Sequence, residues 1–288
     1  MATRSIDART LPPDAARQKG GQPTPRLQRR KLPVQRPWPL WQLVGVQFLL
    51  FLGFVGGWEL MADTGVISAF FWSKPSIIAG TLVTFFGSGN ALIDIEYTFE
   101  ATILGFIVGT SIGSCIGLSF WWSRNWANVF QPYIICFESI PKLALAPLVI
   151  LVFGLGLSSK VALASALTLI VSTLTTYAGV KALDPDSEKL FYSLGASRFQ
   201  VFFKLVVPSC LPWIISVLRV NIGLALTGAV VGEFIASEHG LGREIFYAGQ
   251  TYDIALVWVG VLVLSTLSVV MYAAISVLES YLRRGTGR

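Results

Sequence analysis

Six apolar runs, each close to the ~20 residues needed to cross the hydrocarbon of a bilayer, constrain this chain more than any other feature. They lie at about 40–61, 97–121, 129–153, 160–181, 213–236 and 255–282. In lipid no water is available to satisfy open backbone, so each run must be helical. The composition agrees: 53% of residues are hydrophobic and 13% charged, against about 25% charged in ordinary soluble domains. The expectation is an all-α polytopic membrane protein with six transmembrane helices over residues 38–288. Most of the nine tryptophans fall at the ends of runs, where interfacial aromatics collect.

Residues 1–37 are rich in Pro, Arg and Gln and lack a helical period, which predicts a disordered basic tail. Arg26, Arg29, Arg30 and Lys31 could hold anionic lipid; a mobile tail that fixes topology is the simpler reading. A polar stretch this long ahead of the first apolar run is not a secretory signal. The tail carries +7 against a net charge of +6 for the chain, leaving the remainder at −1, so the remainder offers no basic patch for nucleic acid. Basic residues also set orientation. With the N-terminus inside, Arg124, Lys181, Lys189, Arg198, Lys204, Arg283, Arg284 and Arg288 join the tail on the inner face. Only Lys74, Lys160 and Arg243 fall in outer loops, which predicts both termini in the cytoplasm.

The second run carries Gly105, Gly109, Gly113 and Gly117 on one helical face, spacing that allows close helix approach within one subunit or between two. In the third run Pro141 and Pro147 each remove a backbone hydrogen bond, so that span is expected to be bent or broken. Glu138 and Lys142 stand one turn apart and could pair across the break. Broken backbone at membrane depth is tolerated where it is buried or lines a cavity. Glu138, Pro141, Lys142 and Pro147 are therefore candidates for a translocation pathway or gate, alongside Asn221 and Glu233 in the fifth run. Arg219 there could simply snorkel, and Glu100 is a further candidate for an interior partner.

Between the fourth and fifth runs, residues 184–212 mix polar and apolar residues. Asp184 can cap a helix with Pro185 at its first position. Asp186 and Glu188 suit the first turn, Leu190, Phe191 and Leu194 form an apolar stripe, and Gly195 is placed to end the helix left-handed. Ser197 and Gln200 have capping-box spacing for a second helix, with Phe199, Phe202, Phe203 and Val206 as its apolar face and Pro208 as its stop. Two short amphipathic helices meeting at a glycine make a docking surface.

Gly195, nine further residues and then Leu205-Val206-Val207-Pro208 resemble the cytoplasmic coupling loop of ABC-importer permease subunits. Leu194-Gly195-Ala196-Ser197-Arg198 is similar to the nitrate, sulfonate and taurine class. The family's Glu-Ala-Ala is replaced by Lys189-Leu190-Phe191, with Glu188 one place early. The runs Ile140–Ala144, Ala146–Leu148 and Phe153-Gly154 also resemble this family, as do Gly228–Glu233 and Gly240-Leu241-Gly242. The resemblance implies a type I importer permease fold in a bacterial inner membrane. It implies a second permease subunit, with a homodimer favoured, two cytoplasmic ATPase subunits that bind ATP and Mg, and a solute-binding protein. Glu188, Leu190, Phe191, Leu194, Gly195, Ala196, Ser197, Arg198 and Pro208 would form the surface coupled to the ATPase. Expected cargo is a nitrate-, sulfonate- or taurine-type anion, or alternatively a pyrimidine- or flavin-type vitamin precursor.

The chain has no GxxxxGK[ST] phosphate loop, so it is not expected to bind ATP by that route or to be an enzyme. HExxH and Cys/His clusters are missing, as is any ligand spacing among Cys115, Cys136 and Cys210, so no metal is expected. His239 is the lone histidine, which disfavours a Ser/His/Asp hydrolase. Two other classes stay open. A gradient-driven secondary transporter would carry an inverted repeat with matched broken helices. A non-transporting membrane scaffold would use the paired amphipathic helices for docking alone.

Overall fold

The computed structural model describes residues 38–235 and 237–286. The proposed disordered tail 1–37 and Arg288 lie outside the described residues. Helices account for the architecture, with no strand among the described residues. In chain order they are α1 (Leu40–Asp63), α2 (Ala69–Trp72), α3 (Pro75–Gly87), α4 (Ala91–Ser119), α5 (Arg124–Ser139), α6 (Ala146–Phe153), α7 (Leu157–Lys181), α8 (Pro185–Ser193), α9 (Arg198–Val201), α10 (Val207–Ile235), α11 (Leu241–Gln250) and α12 (Ile254–Thr286). The chain divides into two units, one up to Phe51 and one from Leu52. The first holds the opening turns of α1, apolar and exposed almost throughout.

In the second unit α4, α7 and α10 form the centre. The glycine stripe of α4 explains how. A Cβ on Gly113 would meet Ser172 Cβ at 2.7 Å, and one on Gly117 would meet Thr173 O and Thr176 Cβ at 2.7 Å. Gly105 and Gly109 press in the same way on Ala164 and on Ser165 and Thr168. The rising register makes α4 and α7 parallel. Backbones this close are held by dispersion and by short polar side chains, not by large apolar ones. The stripe thus packs within one chain. On the other side of α7, Gly228 lies against Ala164 and Gly179 against Trp213, so α10 runs antiparallel to it.

Buried ties at the two ends orient the bundle. At one end the close of α10 meets the start of α4 and the loop before α11. At the other, Leu118 and Trp121 at the close of α4, Val180 and Leu183 at the close of α7, and Val201, Val206 and Cys210 form one apolar cluster. These are called here the α11 end and the α8–α9 end.

Six helical stretches are long and apolar enough to cross a membrane: 40–63, 69–87, 91–119, 157–181, 198–235 and 254–283. The second, made of α2 and α3, was not among the six expected runs. The third run is broken, as expected, into a pair, Arg124–Ser139 with Lys142–Phe153, bent by 80°. Ile140, forced towards extended backbone by the following proline, has ψ 132 and ends α5. Pro141 then precedes a 3₁₀ turn, Lys142–Leu145. Pro147 does not break the helix as expected. It sits in the first turn of α6, where a missing N–H costs nothing. Pro208 does not stop a helix either. Phe202–Val206 form a π turn that runs straight into α10. The wider i→i+5 turn makes room for the ring, which would clash with the carbonyl four residues back in a regular α-helix.

Candidate functional site

At the α8–α9 end the sequence forms a small helical platform. The Asp184 carboxylate accepts from Asp186 N at 3.1 Å, Ser187 N at 3.2 Å and Ser187 Oγ at 2.8 Å. The Ser187 hydroxyl first, and then the Asp186 amide, hold this exposed carboxyl below its ordinary pKa, because each bond favours the charged form. Gly195 ends α8 with φ +78; its N–H reaches Tyr192 O at 3.0 Å and Ala196 N reaches Phe191 O at 3.1 Å. Ser197 and Gln200 close a reciprocal capping box at the start of α9, with Ser197 N donating to Gln200 Oε1 at 2.8 Å.

Two faces result. One is clamped to the bundle. Arg198 Nη2 donates to Trp122 O, and its guanidinium lies over the rings of Trp121 and Trp122, at 5.5 and 5.2 Å. Phe199 and Phe202 pack on Trp122, with centroids at 4.9 and 5.4 Å. Val201 and Val206 are fully buried, and Phe191 and Ala196 lie against them. The sequence marked Trp121 and Trp122 only as interfacial aromatics and missed this clamp. The other face points away. Leu190 is 57% exposed, Leu194 76%, Phe199 65% and Phe203 62%. Apolar side chains this exposed in a polar segment mark an interaction surface. Glu188 is half-buried, and Gly195, Ser197, Arg198 and Pro208 are exposed.

At the α11 end the charges are buried and bonded. Glu233 Oε2 accepts from Thr98 Oγ1 at 3.0 Å and Gly242 N at 2.8 Å. Thr98 Oγ1 accepts from Leu241 N at 2.9 Å, and Asp94 Oδ1 from Gly240 N at 2.8 Å. The first N–H groups of α11, which lack intrahelical partners, are thus held by side chains from α4 and α10. Gly240 has φ +117, and a Cβ on Gly242 would meet Glu233 Oε2 at 2.8 Å, so only glycine fits at either position. Asn221 is likewise buried, with Nδ2 donating to Thr110 Oγ1 at 2.9 Å and Ser172 Oγ at 2.6 Å.

Asn221 and Glu233, read from the sequence as candidates to line or gate a pathway, therefore lie inside the bundle and tie helices together. Glu100 is exposed, and Asp94 is the interior carboxylate instead. Lys160, assigned to an outer loop, is fully buried; its Nζ donates to Leu155 O. Arg219 pairs with Glu279 of α12, which also takes Arg283 Nε at 2.8 Å. Lys142 Nζ donates to the Glu138 backbone carbonyl at 3.0 Å rather than to its carboxylate. Glu138, Pro141 and Pro147 are exposed and Lys142 half-buried, so the broken segment keeps an open face. No group of three or more metal-ligating side chains occurs among the described residues.

The family described as binding-protein-dependent transport system inner membrane component matches residues 101–284. The formylaminopyrimidine transport permease protein ThiX of Halalkalibacterium halodurans is 35% identical over 185 residues, 64% of this chain and 74% of the relative. The riboflavin transport system permease protein RibX of Chloroflexus aurantiacus is 30% identical over 263 residues, 91% of this chain and 97% of the relative. The taurine transport system permease protein TauC of Escherichia coli is 26% identical over 248 residues, 84% and 90%. Among solved structures, a bacterial ABC transporter involved in import of the acidic polysaccharide alginate aligns with TM-score 0.57 and 16% identity, covering 84% of this chain and 98% of that one. The inward-facing MetNI methionine transporter aligns with TM-score 0.55 and 16% identity, covering 70% and 96%. At such identities the likeness is one of fold.

Proposed function

This chain belongs to the inner membrane component family of binding-protein-dependent transport systems, an ABC-importer permease subunit, and from that premise we propose that α8 and α9 are its coupling surface. In this reading a cytoplasmic ATPase subunit grips Leu190, Leu194, Phe199 and Phe203, and two copies of the chain form the pathway. The ATPases hydrolyse ATP, since this sequence holds no phosphate loop, and a solute-binding protein delivers cargo at the α11 end. The observation that carries the proposal is the two-faced platform, apolar outward and clamped to Trp121 and Trp122 inward. Arg124, Lys181, Lys189, Arg198 and Lys204 all belong to segments at that end, which supports a cytoplasmic placement.

Nucleotide-driven closure of the ATPases would move the platform as a rigid body between two states. Glu138, Pro141, Lys142 and Pro147, on the exposed broken segment, are the proposed pathway residues. For the solute, the relatives divide between ring-shaped vitamin precursors and small sulfonates. The higher identities of the formylaminopyrimidine and riboflavin permeases support the vitamin-precursor class over the nitrate, sulfonate and taurine class. Thermal shift of the cognate binding protein with each compound separates the two.

Docking is tested by replacing Leu190 and Leu194 with Asp. The double variant should insert and elute as a single species yet lose its ATPase partner on purification. Gly195→Phe should insert and support ATP hydrolysis without uptake, because the cost at φ +78 is backbone strain of about 1–2 kcal/mol and a built Cβ there meets nothing within 4 Å. Unchanged co-purification and uptake in both would overturn the coupling assignment. Uptake driven by an ion gradient without ATP would favour a secondary transporter.

A further inference from the structure

The stretch 69–87 passes a length-and-hydropathy test for a membrane span, but its connections place both of its ends on one side. Its beginning is tied to the end of α1. Ser76 N and Oγ donate to the Glu59 carboxylate at 3.0 and 2.6 Å, and Lys74 Nζ pairs with Asp63 at 2.9 Å. The Trp258 indole N–H, in the first turns of α12, donates to Trp72 O at 3.0 Å. Three residues after α3 the chain enters α4, whose first turns bond to the loop before α11. The end of α1, both ends of α3, the start of α4 and the start of α12 therefore share the α11 end. The thirteen residues of α3 are also too short for the ~30 Å hydrocarbon core at 1.5 Å per residue. It buries Ile78 and Phe85 against Val259 and Val263 and leaves Ile77, Val83 and Phe86 exposed.

Ahead of it stands an aromatic cluster. Phe70, Phe71 and Trp72 are each more than half exposed. Phe70 stacks on Tyr252 at 6.2 Å, and Trp258 packs on Trp58 at 5.0 Å. Ser73 and Tyr252, at φ 57 and 59, are the only non-glycine residues with left-handed backbone among those described, and both belong to this cluster. Such backbone persists only where its surroundings over-determine it. Leu60 and Met61 near the end of α1 and Ile77 at the start of α3 are exposed as well. Charged Glu59, Asp63 and Lys74 sit beside the cluster, the arrangement of aromatic bodies and polar rim favoured where hydrocarbon meets water.

We propose that Phe70, Phe71 and Trp72 are seated in the lipid–water interface at the α11 end and anchor an α2–α3 segment that stays on that side of the bilayer without crossing it. The occupant of this surface is lipid. Single Thr64→Cys and Asn90→Cys chains, both changed at exposed positions, are reacted with a membrane-impermeant maleimide in sealed vesicles and compared with the parent chain. Reaction of both from the same face supports the proposal, and reaction from opposite faces overturns it. A nitroxide at Phe71→Cys, in a full-length chain with Cys115, Cys136 and Cys210 replaced, is then read in phosphatidylethanolamine–phosphatidylglycerol nanodiscs. Access to oxygen above access to a nickel chelate is expected. The reverse places the cluster in water, and shielding from both places it under protein; each overturns the assignment. If the cysteine-free chain fails to fold, quenching by brominated lipid is compared between the native chain and Trp72→Phe. A smaller quenched fraction in the variant supports the anchor, and an equal one overturns it.

Discussion

The two hydrogen bonds accepted by the buried Glu233 carboxylate, from Thr98 and from Gly242 N, hold the start of α11 to α4 and α10. Removing the carboxylate orphans the Gly242 amide and loosens Thr98, and a buried donor left unmade costs about 1–3 kcal/mol. Glu233→Ala should therefore lower the thermal unfolding midpoint of the detergent-solubilised chain clearly. Glu233→Gln, which keeps an acceptor oxygen in place, should lose much less. Equal losses would mean that the charge, not the acceptor, holds the loop. The sequence exposed Glu233 as a charge in an apolar run but not its role, because Thr98 is 135 positions away. Asp94 was missed for a related reason: it lies ahead of the expected span and reads as an ordinary polar flank. Arg219 read as a snorkelling side chain for lack of Glu279, its partner on another helix.

Among whole elements, the α4 stripe was the most legible, since four glycines at one spacing already imply close approach. Only the structure says that the neighbour is α7 of the same chain. A methyl group at Gly109 has nowhere to go between Ser165 and Thr168, and overpacking a tight contact costs about 1–3 kcal/mol. Gly223 in α10 is exposed, with nothing within 4 Å of a built Cβ, and Gly to Ala in a helix interior gains roughly 0.5–1 kcal/mol. Gly109→Ala should therefore lower the unfolding midpoint of the purified subunit while Gly223→Ala leaves it unchanged or raises it. A similar response from both would refute the packing account. Prolines were read less well than glycines. Pro141, Pro147 and Pro208 carry the same local rule. Yet one ends a helix, one begins a helix and one is absorbed by a π turn, because the outcome depends on where each falls relative to a helix start and on whether the turn before it can widen. The apolar runs read from the sequence found the long helices but left out α3, whose thirteen residues alone fall short of a span and which packs against α12.

On the scale of the whole subunit, motion at the α8–α9 platform has two routes into the bundle: through the Trp121–Trp122 clamp onto the end of α4, and through the continuous π turn into α10. Both helices close on α7, one by glycine contacts and one by Gly228, Gly179 and the Asn221 bonds. Side chains locked this closely do not slide by small amounts, so α4, α7 and α10 should move as one body. The segment free to respond is the 80° break between α5 and α6, where Pro141 has no N–H to donate and residues 143–145 are exposed. Hydrogen exchange on the reconstituted transporter, with and without ATP, can distinguish these parts. Amides of α4 and α7 facing each other around Gly113 and Ser172 should stay equally protected in both states, while those of residues 140–146 should change protection several-fold. Nucleotide-dependent exchange within α4 and α7, with none at the break, would show that the core itself rearranges and that the bend is a fixed feature of the fold.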